Sequence, residues 1–223
     1  TAAFLQTVMH RFLTVVLFVL SFAFLQAQDS FEIALQNHVK ELSSEKYKGR
    51  PAGSPSEAKV AARVSACFKE NGLELLYPGG FQDFSYVDEA TGDTLYSQNV
   101  VAVIPGYDPA LRDEYIVIGA HYDHLGTATG REGAVDTIYN GADDNASGTA
   151  ALIELAHLLK EQGGLDRTVV FVAFDGEEQG LLGSAKFLED ALFPEHKICV
   201  MLSLDMVGYY RKSGVLKVLG TGT

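Results

Sequence analysis

The sequence has few basic residues, few cysteines and no hydrophobic run long enough to cross a membrane. Only 17 of its 223 residues are lysine or arginine, against 29 acidic residues, and the formal net charge is −12. Because these basic residues form no cluster, the chain lacks the positive surface that nucleic-acid binding requires, and we expect no nucleic-acid partner. Its hydrophobic content of 47% is typical of one globular domain with a sizeable core.

The two cysteines, Cys67 and Cys199, limit covalent cross-linking to a single disulfide. An exported protein could form that bond in an oxidising compartment. Cys199 lies inside the apolar run 198–202, however, where a buried free thiol is the more common state. The sequence leaves the pairing open and favours two free thiols.

The first 28 residues have the layout of a secretory signal. Met9, His10 and Arg11 precede an apolar run from Phe12 to Leu25, and the polar exit 26–28 follows. The run is shorter than the roughly 20 residues of a membrane-spanning helix. We therefore expect translation to start at Met9, cleavage near residue 28, export to the periplasm or the extracellular space, and no stable membrane association afterwards. Residues 29–223 would form one folded domain, whose oligomeric state the sequence does not reveal.

Four short apolar runs predict the strands of an α/β fold. They are rich in β-branched residues and apolar on both faces, as in strands that are buried on both sides of a sheet. The four runs are residues 100–104, 115–120, 169–174 and 198–204. Before them, helical patterns cover residues 31–42 and 56–70, and the segment 77–96 is typical of a hairpin.

The connections between these runs predict a mixed, mostly parallel sheet flanked by helices. A helix over residues 146–162 separates the second run from the third, and a helix from about residue 181 to residue 192 separates the third from the fourth. Such helical crossovers make the strands that they join parallel. The short link after residue 104 predicts that the first two runs are antiparallel neighbours.

Polar side chains follow the predicted parallel strands at the points where these strands end. In open α/β sheets, ligands bind beyond the carboxyl ends of the strands, so these side chains should share one crevice. The residues expected there are His121, Asp123, Asp143, Asp144, Glu177, Glu178 and Asp205. So many acidic groups in one place repel one another unless cations lie between them.

Each of these residues also has a simpler role when it is taken alone. His121 could be a hydrogen-bonded core histidine, and Glu177 and Glu178 could be acids at the start of a helix. Asp144 or Asn145 could cap the helix that starts near residue 146. The coincidence of four such elements at one sheet edge favours a metal site over four separate structural roles.

The types of donor atom point to zinc. Histidine nitrogen and carboxylate oxygen without thiolate suit Zn²⁺ and, less selectively, Mn²⁺ or Co²⁺. A carboxylate shared by two ions about 3.5–4 Å apart would explain the surplus of acids. Asp123 is spaced to accept the second ring N–H of His121. Of Glu177 and Glu178, one could bind metal while the other takes a proton from water.

Four motifs in this order resemble the M28 family of zinc metallopeptidases, best known for secreted aminopeptidases. The motifs are His121–Asp123, Gly141–Gly148, Phe174–Ser184 and Leu204–Gly208, and the segment Gly49–Ser54 resembles one that often precedes the catalytic core. The resemblance covers about residues 40–210. It implies that residues 29–223 form the catalytic domain, with the mixed sheet of the zinc exopeptidases (phosphorylase/hydrolase-like).

The resemblance also implies a role for each residue of the site and a peptide substrate. Two zinc ions would be bridged by Asp143, with His121 and Asp205 completing the first site, Glu178 binding the second ion and Glu177 acting as general base. Glu177 would deprotonate a water held between the metals, which then attacks an amino-terminal peptide bond. A cis peptide bond is implied between Asp143 and Asp144.

The family takes a further histidine ligand from well beyond Asp205, and this sequence ends at Thr223 before such a residue. His124 follows Asp123 directly and is expected to line the site. We therefore expect that the chain is truncated at its carboxyl end and that its second metal site is weakened. A carboxypeptidase or a glutaminyl cyclase on the same scaffold, or an inactive metal-binding fragment, remain alternatives.

Overall fold

The structure, a computed structural model, describes residues 30–89, 91–128, 137–190 and 192–209. The predicted export signal lies outside these ranges. The chain divides into two compact units, residues 1–37 and 38–223. In the first unit, residues 30–37 are described, and they are helical. Within the described ranges, no helix is long and apolar enough to cross a membrane.

In the described part of the second unit, six strands form a central sheet. Its strands are β1 (Glu74–Leu75), β2 (Phe81–Val87), β3 (Thr94–Ile104), β4 (Tyr115–His121), β5 (Thr168–Phe174) and β6 (Ile198–Ser203). Their order is β1-β3-β5-β4-β6, with β2 also paired to β3. β3 is antiparallel to β1, β2 and β5, whereas β4 is parallel to both β5 and β6. The predictions of a mixed sheet and of a β2–β3 hairpin are confirmed.

The prediction that the first two apolar runs are neighbours is wrong, because β5 lies between β3 and β4. Val172 of β5 pairs with Val101 on one side, and Val170 pairs with Val117 on the other. The link 105–114 is long enough to pass the end of this intervening strand. β5 is apolar from Val169 to Phe174, and a central position gives it hydrogen-bonding partners on both edges.

Helix α1 (30–42) precedes the sheet in the chain. Within the second unit, three further helices flank the sheet on both faces: α2 (Pro55–Glu70), α3 (Gly148–Glu161) and α4 (Leu182–Glu189). α2 and α3 share one core with Phe171, and Phe187 of α4 shares the other with Val172. Because successive side chains of a strand point to opposite faces, a strand between two helical layers is apolar at every position. This explains the continuous apolar runs.

The boundaries of α2 follow from local chemistry. The side chain of Ser54 accepts a hydrogen bond from the Glu57 amide at 3.1 Å, and Pro55 occupies the first helical position. The helix ends before Gly72, whose φ of 76° is favourable for glycine. The predicted helix at 146–162 is confirmed as α3, which begins at Gly148 directly after the helical turn Ala142–Ser147.

β6 and its cysteine differ from the sequence prediction. Val200, Met201 and Leu202 are 43–48% exposed instead of buried, because β6 is an edge strand whose only described partner is β4. Cys199 is therefore exposed, whereas Cys67 is buried, and both are free thiols.

Removal of the Phe68 side chain should test the larger core. Phe68 of α2 is fully buried, with its ring centroid 6.2 Å from that of Phe171 in β5. We expect Phe68→Ala to lower the free energy of unfolding by about 3–5 kcal/mol, because the lost contacts leave a cavity. Tyr96→Ala on the exposed side of β3 should change it by less than about 0.5 kcal/mol. Urea denaturation measures both, and equal effects would contradict this description of the core.

Candidate metal centre

Potential metal donors meet where the parallel strands β4, β5 and β6 end. His121 is the last residue of β4, Glu178 follows β5 by four positions, and Asp205 lies two residues beyond β6. The turn before α3 adds Asp144. Two groups of three donors result, one of His121, Asp144 and Asp205 and the other of His124, Asp144 and Glu178, with the ligand atoms of each group within 4.8 Å of one another.

The first group has spacings that suit one tetrahedral ion. The Nε2 atom of His121 lies 3.2 Å from Asp144 Oδ1 and 3.5 Å from Asp205 Oδ1. Ligands placed about 2.0–2.2 Å from a tetrahedral zinc ion lie about 3.3–3.6 Å apart. His121 is buried, whereas Asp144 and Asp205 remain accessible, so the group is open on one side. These residues fit zinc in donor type and in spacing.

The second group contains His124, which the sequence predicted to line the site. Its Nδ1 atom lies 2.8 Å from Glu178 Oε1, and Asp144 is the third member of the group. The path of the chain after β4 sets this contact, because the His124 amide donates to the Arg50 carbonyl at 3.2 Å. A partner so distant in sequence leaves no local pattern around His124, and sequence reasoning therefore missed the contact.

Asp143 lies outside both donor groups. Its Oδ1 atom accepts a hydrogen bond from the Gly208 amide at 2.9 Å, and its carbonyl accepts one from Ser147 Oγ at 2.7 Å. The cis peptide bond is between Asp144 and Asn145, so the predicted position was one residue too early. Adjacent side chains in such a turn point in different directions, and the spacing of the motif does not determine which one faces the crevice.

Asn145 holds the Asp205 segment against the turn. Its Nδ2 atom donates to the Leu204 carbonyl at 2.9 Å, and its Oδ1 atom accepts from the Met206 amide at 3.2 Å. The same Oδ1 accepts from the Gly148 amide at 3.0 Å, which confirms the predicted capping role for Asn145. Both neighbours of Asp205 are thus bound to one side chain.

Asp123 connects the ends of β4 and β5. It is fully buried, and its two carboxylate oxygens accept the Glu177 and Glu178 amides, each at 3.2 Å. Its Oδ1 atom also lies 3.5 Å from Nδ1 of His121, a buried ring nitrogen that has no hydrogen-bond partner. If these two atoms moved slightly closer, they would form the hydrogen bond predicted from the sequence. Such a bond would fix the orientation of the imidazole so that Nε2 faces the metal.

The acidic surroundings shift the proton affinities of the site. Burial by itself lowers the pKa of His121, but the close approach and negative charge of Asp123, with the charges of Glu177 and Asp205, outweigh burial and raise that pKa to about 9. Burial also raises the pKa of Glu177, with further contributions from Asp123, Glu178 and Asp205 and an opposing one from His121. The centre therefore favours bound positive charge, which a metal ion would supply.

A second set of buried polar groups lies behind the centre. Burial raises the pKa of Glu57 to about 7, although hydrogen bonds from Tyr122 and Gln98 favour its charged form. Burial and the nearby charge of Glu57 raise the pKa of Asp175, which is hydrogen-bonded to Ser97. The Tyr122 hydroxyl contacts Glu57, so this set supports the backbone between His121 and Asp123. Near the start of a helix, Glu57 has the pattern of an ordinary surface acid, and the sequence did not single it out.

Comparisons with known sequences agree with this arrangement. Residues 99–222 match the sequence model described as peptidase family M28. Leucine aminopeptidase 1 of Trichophyton equinum is 36% identical over 118 residues, which are 51% of this chain and 30% of that protein. An uncharacterized protein of Escherichia coli K12 is 40% identical over 111 residues, or 48% of this chain and 32% of the other. The matched region spans about a third of the length of these curated relatives.

Solved structures show the same fold. LapB from Legionella pneumophila is 27% identical with a TM-score of 0.58, over 82% of this chain and 46% of that one. The zinc aminopeptidase of Bacillus subtilis is 17% identical with a TM-score of 0.64, over 80% and 69%. Glutaminyl cyclase of Porphyromonas gingivalis is 23% identical with a TM-score of 0.59, over 81% and 59%. The last two comparisons establish likeness of fold only.

The pKa of Glu57 predicts how stability depends on pH. A carboxyl group whose folded pKa is raised contributes stability that is fully present below its unfolded value of 4.5 and is lost as the pH rises through about 7. Glu57→Gln keeps acceptors for Tyr122 and Gln98 but cannot ionise. We expect this variant to reduce the loss of unfolding free energy across that pH window by about 3 kcal/mol, measured by urea denaturation of metal-free protein. An unchanged slope would contradict the assignment.

Proposed function

Because the chain belongs to peptidase family M28, we propose that it is part of a dinuclear zinc exopeptidase that removes residues from the amino termini of peptides. The observation that carries this proposal is the pair of donor groups that share Asp144. A carboxylate common to two groups is what two neighbouring metal ions require. The leucine aminopeptidase likeness supports the choice of the amino terminus, although it covers only 30% of that relative.

We assign the shared ligand to Asp144 in place of Asp143. His121 and Asp205 would complete one zinc site, and Glu178 would bind the second ion. His124 would complete the second group, for which the resemblance implies a histidine from farther along the chain. That downstream histidine stays a prediction, and so does the export of the protein.

Zinc in this position would polarise a substrate carbonyl and lower the pKa of water. Glu177 belongs to neither donor group, and its backbone is held by Asp123 through a hydrogen bond of 3.2 Å. Its carboxylate would accept the proton of the attacking water and return it to the leaving amine. Asp123 would keep both His121 and the Glu177 segment in place. The surplus of carboxylates would favour the positively charged amino terminus of a peptide.

The shared-ligand assignment predicts different results for two adjacent aspartates. Asp144→Asn should lower the zinc content of purified protein at both sites, because the variant loses the charged oxygen common to the two groups. Asp143→Asn should retain zinc, since its carboxylate bonds to the Gly208 amide instead. Metal analysis after dialysis measures both. The opposite pattern would return the bridging role to Asp143.

Replacement of the general base should separate metal binding from turnover. We expect Glu177→Gln to retain zinc and to lower kcat by about 10²–10⁴-fold, because water loses its proton acceptor. The assay measures release of a chromogenic amine from an aminoacyl amide. Wild-type protein should not hydrolyse the same amide when the amino group of this substrate is acetylated.

Glu178→Ala is the matched control, since this variant should lose zinc as well as turnover. Full activity of Glu177→Gln would remove Glu177 from the mechanism. Hydrolysis of the acetylated amide would exclude an aminopeptidase, and ring closure of amino-terminal glutamine with release of ammonia would favour the cyclase alternative.

A further inference from the structure

Arg50 is the largest fully buried side chain among the described residues, at 1% exposure, and it is not a metal donor. It belongs to the loop between α1 and α2, far from the donor motifs in sequence. Burial lowers the pKa of its guanidinium to about 10, with Asp123, Asp144 and Glu178 opposing that shift, so Arg50 stays charged at neutral pH. A buried cation is costly unless its donors are satisfied.

All five guanidinium N–H groups can be matched to backbone carbonyl oxygens. Nε donates to Tyr122 at 2.7 Å. Nη1 donates to Asn140 at 2.7 Å and to Leu42 at 3.3 Å, while Nη2 donates to Gly141 at 2.7 Å and to Asp144 at 3.3 Å. A guanidinium has five donors in a fixed plane, so this set is complete.

Four of these five acceptors belong to two of the three segments that carry the first donor group, and the fifth, Leu42, is the last residue of α1. Tyr122 lies between His121 and Asp123, whereas Asn140, Gly141 and Asp144 form the turn before α3. One rigid side chain therefore bonds to both segments, which bring His121 Nε2 and Asp144 Oδ1 to 3.2 Å.

The backbone beside Arg50 holds the loop that carries His124. The Arg50 carbonyl accepts from the His124 amide at 3.2 Å, and the Gly49 carbonyl accepts from the Gly126 amide at 3.1 Å. A Cβ atom on Gly49 would lie 2.2 Å from the Gly126 carbonyl oxygen, and one on Gly141 would lie 2.6 Å from Arg50 Nη2. Glycines thus permit the close approach on both sides of the arginine.

We propose that Arg50 is a positioning residue of the metal centre, whose guanidinium fixes the separation between the His121 segment and the Asp144 turn. The expected consequence of this positioning is a higher metal affinity, and that consequence rests on the proposed zinc site. Lysine keeps the charge but lacks the planar set of five donors, so it cannot hold both segments in the same way.

The test compares zinc affinity in the full chain for wild type, Arg50→Ala and Arg50→Lys by competition with a chromophoric chelator. Both variants should bind zinc about 10–100-fold more weakly, the range seen when groups that orient metal ligands are lost. Guanidinium chloride, added at non-denaturing concentration, should restore part of the affinity of Arg50→Ala and leave wild type unchanged. Sodium chloride at equal concentration should not restore the affinity of Arg50→Ala.

Phe68→Ala is the matched control, because it destabilises the larger core without contacting the donors. It should retain the zinc affinity of wild type. An equal loss in Phe68→Ala, or a wild-type affinity in Arg50→Lys, would overturn the proposal. If Arg50→Ala does not fold, Arg50→Lys carries the test by itself, because it keeps the charge and most of the side-chain volume.

Hydrogen–deuterium exchange of metal-free protein separates this inference from the proposed function. Arg50→Lys should speed exchange in the peptides that contain residues 121–126 and 140–148, and Phe68→Ala should not do so selectively. If wild type binds no zinc while this exchange pattern appears, the proposed metal site is wrong and the positioning role of Arg50 is retained. If wild type binds zinc and Arg50→Lys leaves the exchange unchanged, only the positioning role of Arg50 is wrong.

Discussion

Repulsion among five carboxyl groups at one edge of the sheet is the constraint to which the site is adapted. The groups belong to Asp123, Asp144, Glu177, Glu178 and Asp205. Two like charges 4 Å apart repel by about 4 kcal/mol at an effective dielectric constant of 20. Backbone amides that bind both oxygens of Asp123 and the buried charge of Arg50 reduce this repulsion. The raised pKa of His121 reflects the negative charge that surrounds it. The site still carries an excess of negative charge. In the function that we propose, divalent cations neutralise this excess.

The turn before α3 gives different tasks to three consecutive polar residues. Asp143 binds the backbone beyond β6, Asp144 faces both donor groups, and Asn145 holds the two residues that flank Asp205. Gly141, with a φ of 56°, starts the turn, and a Cβ atom there would lie 2.3 Å from the Asp144 carbonyl oxygen. The site thus depends on a compact backbone as much as on its donors.

Polar groups behind the donors connect the centre to the first half of the chain. The Tyr122 hydroxyl contacts the Glu57 carboxylate of α2 and the Gln98 carbonyl of β3, and the Gln98 side chain donates to Glu57. Arg50 donates to the Tyr122 carbonyl. Burying such groups opposes folding unless every donor and acceptor is paired. Their placement directly beneath His121 and Asp123 indicates that they preserve the geometry of the site, since an apolar core would suffice for stability alone.

The amino-acid sequence by itself determined the mixed sheet, its helical layers, and the edge at which His121, Asp123, Glu177, Glu178 and Asp205 gather, because periodicity and strand ends are local properties. Only the tertiary structure decided that β5 separates β3 from β4, that β6 is an exposed edge strand among the described residues, and that Asp144 rather than Asp143 enters both donor groups. His124 and Arg50 were likewise found only there. Their contacts depend on backbone dihedral angles in irregular turns and on hydrogen bonds between residues as many as 94 positions apart, and neither leaves a pattern in the neighbouring sequence.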